Sequence, residues 1–131
     1  MGAPITALDI LSSDGHHSDR AKAVPKAIAD AAMVFAVRLN ELFIIYPNER
    51  PTITSGYRTP AANKAAGGKL ASAHLEGRAA DFYDPNHVLY DWCFTHKYDL
   101  ERIGLWCEQK AYTRTWCHLT SRPVADRFFV P

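Results

Sequence analysis

Apolar positions Ile28, Ala32, Phe35, Leu39, Leu42 and Tyr46 recur in alternating steps of four and three, the spacing of one face of an α-helix. Lys26, Asp30, Arg38 and Glu41 fall mostly off that face. Pro25 suits the first turn, where its missing N–H costs nothing, and Pro47-Asn48 ends the run. The pattern predicts a helix of about five turns that buries one face in its own domain. Further on the period shortens. Pro51-Thr52-Ile53-Thr54-Ser55 predicts a short strand by its β-branched residues. Gly56-Tyr57-Arg58-Thr59-Pro60 predicts a turn, Ala61-Ala62-Asn63-Lys64 a short helix closed by Gly67-Gly68, and Ala79-Ala80-Asp81-Phe82-Tyr83 a buried strand. Asp84-Pro85-Asn86 opens a second helix, with Val88, Leu89, Trp92 and Cys93 expected on one face. Ile103-Gly104-Leu105-Trp106-Cys107 and Thr115-Trp116-Cys117-His118-Leu119 read as two strands of a hairpin joined by the polar segment between them. The tail Phe128-Phe129-Val130-Pro131 is expected to pack on the sheet. Residues 1–24 read as an ordered arm, with Asp14-Gly15-His16-His17-Ser18 as an exposed loop by its turn chemistry. The sum is an α+β chain: a single domain over residues 1–131, with a small, largely antiparallel sheet and helices packed on one side.

Composition narrows the function classes. A chain of 131 residues with 47% apolar content has enough to build one core. A formal net charge of +1 leaves no electrostatic footprint for nucleic acid. The most apolar stretch, residues 31–46, is broken by Arg38 and Glu41 and is too short to span a bilayer, so no membrane insertion is expected. The N-terminus lacks a basic segment followed by an apolar one. The expectation is therefore a protein made in the cytoplasm without a signal peptide, and a monomer. Cys93, Cys107 and Cys117 lack the paired spacing of a cysteine metal site. They read as buried thiols, although Cys107 and Cys117 fall across the expected hairpin, where a disulfide has room to form.

The polar residues that do not fit a bland core are the informative ones. His74 and Asp81 lie seven positions apart around Gly77, Ala79 and Ala80, whose small size lets the backbone pass close behind. His118 sits in an apolar strand among Trp116, Cys117 and Leu119, where its ring nitrogens need partners. Two imidazoles and one carboxylate make three protein ligands for a divalent ion, the count that leaves one position open for water. That points to a metal-dependent hydrolase, with zinc as the expected ion. His16, His17, His87 and His96 read as loop or helix-end residues. No serine or cysteine nucleophile has a convincing base, which ranks covalent catalysis low.

Taken in order, Ser55-Gly56-Tyr57-Arg58-Thr59-Pro60 with Asn63, then Gly67-Gly68, Ser72-Ala73-His74 through Gly77 to Asp81, and finally Trp116-Cys117-His118 resemble a known family. It is the zinc D-alanyl-D-alanine carboxypeptidase and L-alanyl-D-glutamate endopeptidase superfamily, whose fold is shared with the hedgehog signalling domain. The ending also resembles small members encoded by bacteriophages and prophages. The resemblance implies Zn2+ held by His74, Asp81 and His118. It implies Arg58 as the anchor for a substrate carboxylate or the oxyanion, a task suited to a planar fork of donors, and Ser72 as support for the His74 loop. Tyr57 and Trp116 are candidate substrate-side aromatics. The implied substrate is the stem peptide of bacterial peptidoglycan, cut by an enzyme that reaches the cell wall after release or as a virion component.

One position departs from the family pattern. Many members carry the catalytic carboxylate three residues before the last histidine ligand, and here that residue is Thr115, which cannot serve as a base. Glu108, on the facing strand of the expected hairpin, is the substitute, expected across from Thr115 or Trp116; directly opposed side chains lie about 5 Å apart. Glu76, between two ligands, is the weaker candidate. The alternative is a catalytically silent wall-binding or virion structural module on the same fold.

Overall fold

A computed structural model describes residues 3–12 and 24–131; the Asp14 to Ser18 loop lies outside them. Helix α1 (Ala7–Leu11) opens on a capping box in which Thr6 and Asp9 satisfy each other's backbone N–H groups, two of the donors every helix start leaves free. It buries Ile10 and Leu11 against the long helix α2 (Lys26–Ile45). Asn40 of α2 clamps the arm through both amide atoms, accepting from Ile5 N–H at 2.8 Å and donating to Ile5 O at 2.9 Å. The predicted stripe of α2 is the buried one: Ala32, Phe35, Leu39 and Leu42, with Tyr46 just past its end, while Ile28 is half-buried. Full burial of a side chain such as Leu39 or Leu42 stabilises by about 1.5–3 kcal/mol.

Among the described residues the sheet has five strands, β1 (Ile53–Ser55), β2 (Ala79–Tyr83), β3 (Trp106–Glu108), β4 (Trp116–Thr120) and β5 (Phe128–Phe129), in the order β1-β2-β4-β3-β5. Every pairing is antiparallel except β3 with β5. Alternate residues face opposite ways. Ala80, Phe82, Cys107, Cys117, Leu119 and Phe128 enter the core with the stripe of α2. Helices α4 (Val88–Thr95) and α5 (Lys97–Ile103) close that core through Leu89, Cys93, Leu100 and Ile103. The short helix α3 (Pro60–Ala65) stands near the other, polar face, beside a 3-10 turn at Ala73–Glu76. Among the described residues no helix is long and apolar enough to cross a membrane.

Several local expectations change. Residues 97–103 form a helix, so Ile103 ends α5 rather than starting a strand, and the hairpin strand begins at Trp106. Val88 is exposed, and the buried side of α4 is Leu89, Tyr90 and Cys93. The cause is Asp84, a buried residue rather than a surface one: its two carboxylate oxygens accept the N–H groups of Leu89 and Tyr90, each at 3.0 Å. That double cap fixes which residues of α4 turn inward. The tail does not lie on the sheet but extends it, as β5 beside β3. Cys93, Cys107 and Cys117 are free buried thiols, with 3.8 Å between the sulfurs of Cys107 and Cys117.

Gly77 joins the 3-10 turn to β2. It adopts φ +72°, and a Cβ there would meet Ile28 O at 2.9 Å, so both the backbone conformation and the space demand glycine. Gly77→Ala is expected to destabilise the protein by about 1–3 kcal/mol, read from urea unfolding midpoints; a loss near zero would mean that the turn relaxes away from α2.

Candidate metal centre

One row of the sheet builds most of the site. Ser55 pairs with Asp81 and Asp81 with His118. The ladder between β3 and β4 aligns Trp106 with Thr120 and Cys107 with Leu119, so the next residue, Glu108, stands level with His118. Glu108 in turn pairs with Phe129. Because side chains alternate across a sheet, Asp81, His118 and Glu108 emerge side by side on the face away from the core. The hairpin was expected to bring Glu108 opposite Thr115 or Trp116; the observed register moves it two or three residues along, to the level of His118. Thr115 itself is exposed, and its carbonyl accepts the N–H of Asp84 at 2.9 Å.

His74 comes from outside the sheet. It rides on the 3-10 turn, whose first N–H groups need a cap; Ser72 supplies one by accepting His74 N–H at 3.2 Å. The ring is 3% exposed, and its Nδ1 lies 2.6 Å from Gly56 O. A carbonyl only accepts, so Nδ1 carries the proton and Nε2 is left with its lone pair. Nε2 points at Asp81 Oδ2, 3.4 Å away. Two electron-rich atoms facing each other there need a shared cation, either a second proton on the ring or a metal ion. On the other side His118 Nδ1 lies 2.8 Å from Asp81 Oδ1.

The ligand atoms of His74, Asp81 and His118 all fall within 4.8 Å of one another, and the cluster could hold a metal ion. The donor set, two imidazoles and a carboxylate, suits a borderline-soft divalent cation. Burial pushes the Asp81 carboxyl up, but hydrogen bonds and charge from His118 and His74 outweigh it and hold it well below the usual carboxylate range. Arg58 adds to this. Its Nε donates to Ser55 Oγ at 3.1 Å, and its Nη2 lies 3.5 Å from Asp81 Oδ2. Glu108 moves the other way: burial raises its carboxyl above the usual range, against the lowering influence of His118.

The trio opens into a cleft of about 600 Å³. Arg58, Ser72, Trp116 and Glu108 line it, as the sequence suggested. Tyr57 is brought elsewhere, into the core cluster beside α1 and α2. Glu76 turns away from the trio and pairs with Arg122 at 3.5 Å. Lys69, Tyr112 and Arg122 also line the cleft, and no spacing in the sequence marks them. Asn63 anchors the loop before the ligand turn, its Nδ2 donating to Lys69 O at 2.8 Å. His87 bonds Thr113 O at 2.8 Å, and His96 stacks on Trp92 with centroids 3.9 Å apart, so both are structural. His16 and His17 lie outside the described residues.

An acid whose pKa is raised on folding prefers its neutral form in the folded state. Above that pKa its charge subtracts from stability relative to the unfolded chain. Glu108→Gln in the metal-free protein should therefore leave the melting temperature at pH 7 unchanged or higher, with the advantage vanishing at acid pH where Glu108 is protonated anyway. A clear fall in melting temperature at pH 7 would contradict the assigned direction.

Comparison with known proteins bears on the same segment. No curated protein and no solved structure matches the chain. Residues 45–94 match the family model described as Peptidase M15. The matched span holds Arg58, His74 and Asp81, while Glu108 and His118 lie beyond it. Over that span, less than half of the chain, the sequence is similar to the Peptidase M15 family.

Proposed function

We propose that this chain is a zinc peptidase that hydrolyses an amide bond in the stem peptide of bacterial peptidoglycan, in the setting of phage or prophage lysis or wall penetration. The observation that carries the catalytic reading is the shared sheet row, which puts a carboxylate of raised pKa next to a largely buried trio of metal-ligand type. His74, Asp81 and His118 would hold the ion. Zinc bound there would lower the pKa of a water and polarise the amide carbonyl.

The remaining work falls to the chain's own groups. Glu108 is placed to accept the proton of the attacking water and to return it to the leaving amine nitrogen. A carboxyl raised by burial is better matched to that task near neutral pH than an ordinary one. Arg58 faces the cleft from beside Asp81 and offers its guanidinium to the developing oxyanion or to a substrate carboxylate. Trp116 supplies an apolar wall, and Ser72 keeps His74 in place. Thr115 is exposed, its carbonyl accepts the N–H of Asp84, and its hydroxyl plays no acid–base part.

Glu108→Gln should bind zinc as the parent does, yet release new amino groups from purified peptidoglycan roughly 10²–10⁴-fold more slowly. Mass spectrometry of the products, with and without a chelator, identifies the bond cut. Turnover by the variant near the parent rate would remove Glu108 from the chemistry. Retained wall binding with no amines released by the zinc-loaded parent would instead favour a silent binding module.

A further inference from the structure

Among the described residues, the N-terminal arm reaches the metal centre through a line of backbone groups. The last carbonyls of a helix have no partner within it, and in α1 one of them, Ile10 O, accepts the N–H of Tyr57 at 2.8 Å. Gly56 is pressed against the same turn: a methyl group at this position would run into the Ile10 carbonyl. The carbonyl of Gly56 then meets His74 Nδ1 at 2.6 Å. The next residue but one, Arg58, donates its N–H to His74 O at 3.1 Å. The segment from 55 to 58 is thus held by α1 on one side and holds the ligand histidine on the other. Helix α1 is itself fixed to α2 by the Asn40 clamp and by burial of Ile10 and Leu11.

We infer that α1 and Gly56 are positioning elements of the metal centre: through the line Ile10 O, Tyr57 N–H, Gly56 O and His74 Nδ1–H they set the tautomer and aim of His74. Helix α1 lies outside residues 45–94, the span that carries the family match. The inference rests on the reading of His74, Asp81 and His118 as zinc ligands. A partner that orients a ligand histidine in this way is generally felt as metal affinity, because the ring must present Nε2 without paying for reorientation on binding. Glycine is required at 56 for the close approach alone, since any side chain there would push the strand off α1 and draw the carbonyl away from the imidazole.

The test measures zinc affinity by competition with a fluorescent chelator, alongside the melting temperature of the metal-free full chain. Gly56→Ala should weaken zinc binding by roughly 10- to 100-fold. Leu11→Ala, which thins the same packing but keeps every backbone bond, should lower the melting temperature and leave zinc affinity as in the parent. Equal affinity for Gly56→Ala and the parent would overturn the inference while sparing the ligand assignment. So would an equal loss of affinity in both variants, which would reduce α1 to general packing. A parent chain that binds no zinc would overturn both. Should Gly56→Ala not fold, nitrogen-15 NMR of the zinc-loaded parent decides: His74 should show a slowly exchanging Nδ1–H with metal on Nε2, and a His74 ring with metal on Nδ1 would overturn the proposal.

Discussion

A buried carboxylate keeps its charge only where donors or cations surround it, and Asp81 is 7% exposed. Its surroundings are His118 at 2.8 Å, His74 at 3.4 Å and the Arg58 guanidinium at 3.5 Å. Each of these comes from a different piece of the fold: β4, the 3-10 turn, and the segment after β1. Holding one oxygen pair between them fixes the register of the central strands and the placement of two loops together. A one-residue slip of β4 against β2 would turn His118 into the core and Cys117 or Leu119 toward the cleft. The site and the strand pairing are therefore the same constraint seen from two faces of one sheet.

The two faces divide the labour cleanly. Asp81 of β2 and Trp116, His118 and Thr120 of β4 face the cleft; the alternate positions, Ala80, Phe82, Cys117 and Leu119, build the core. The thiols belong to this second set. Burial raises the Cys107 thiol above its ordinary range, as expected of a packing residue rather than a nucleophile. Glu108 shows the reverse economy. Its charge is disfavoured by burial where it stands, a condition that suits the acid–base role proposed for it.

What the sequence made legible was whatever has a period or a motif. The stripe of α2 and the alternation in β2 and β4 follow from side-chain geometry, and the spacing from Ser72 to Asp81 carries two of the three candidate ligands, with His118 marked by its apolar strand. Short elements without a full period stayed hidden. Helix α5 spans only seven residues and abuts α4 with a single intervening residue, His96, so no repeat separates it from a loop. The level of Glu108 depends on how residues 109–115 turn, including a 3-10 turn at Lys110–Tyr112, and connection length alone does not set that register. The double cap by Asp84 stayed hidden because its partners, on Leu89 and Tyr90, are backbone groups that any sequence would offer. The Gly56 carbonyl was invisible for the same reason.

The most direct test of the whole account is anomalous diffraction at the zinc edge from crystals of this chain soaked in zinc. The account predicts one strong peak within bonding distance of His74 Nε2, the Asp81 carboxylate and His118, with Glu108 facing the open side. A protein that takes up zinc at some other place, leaving these three side chains without density between them, would contradict it.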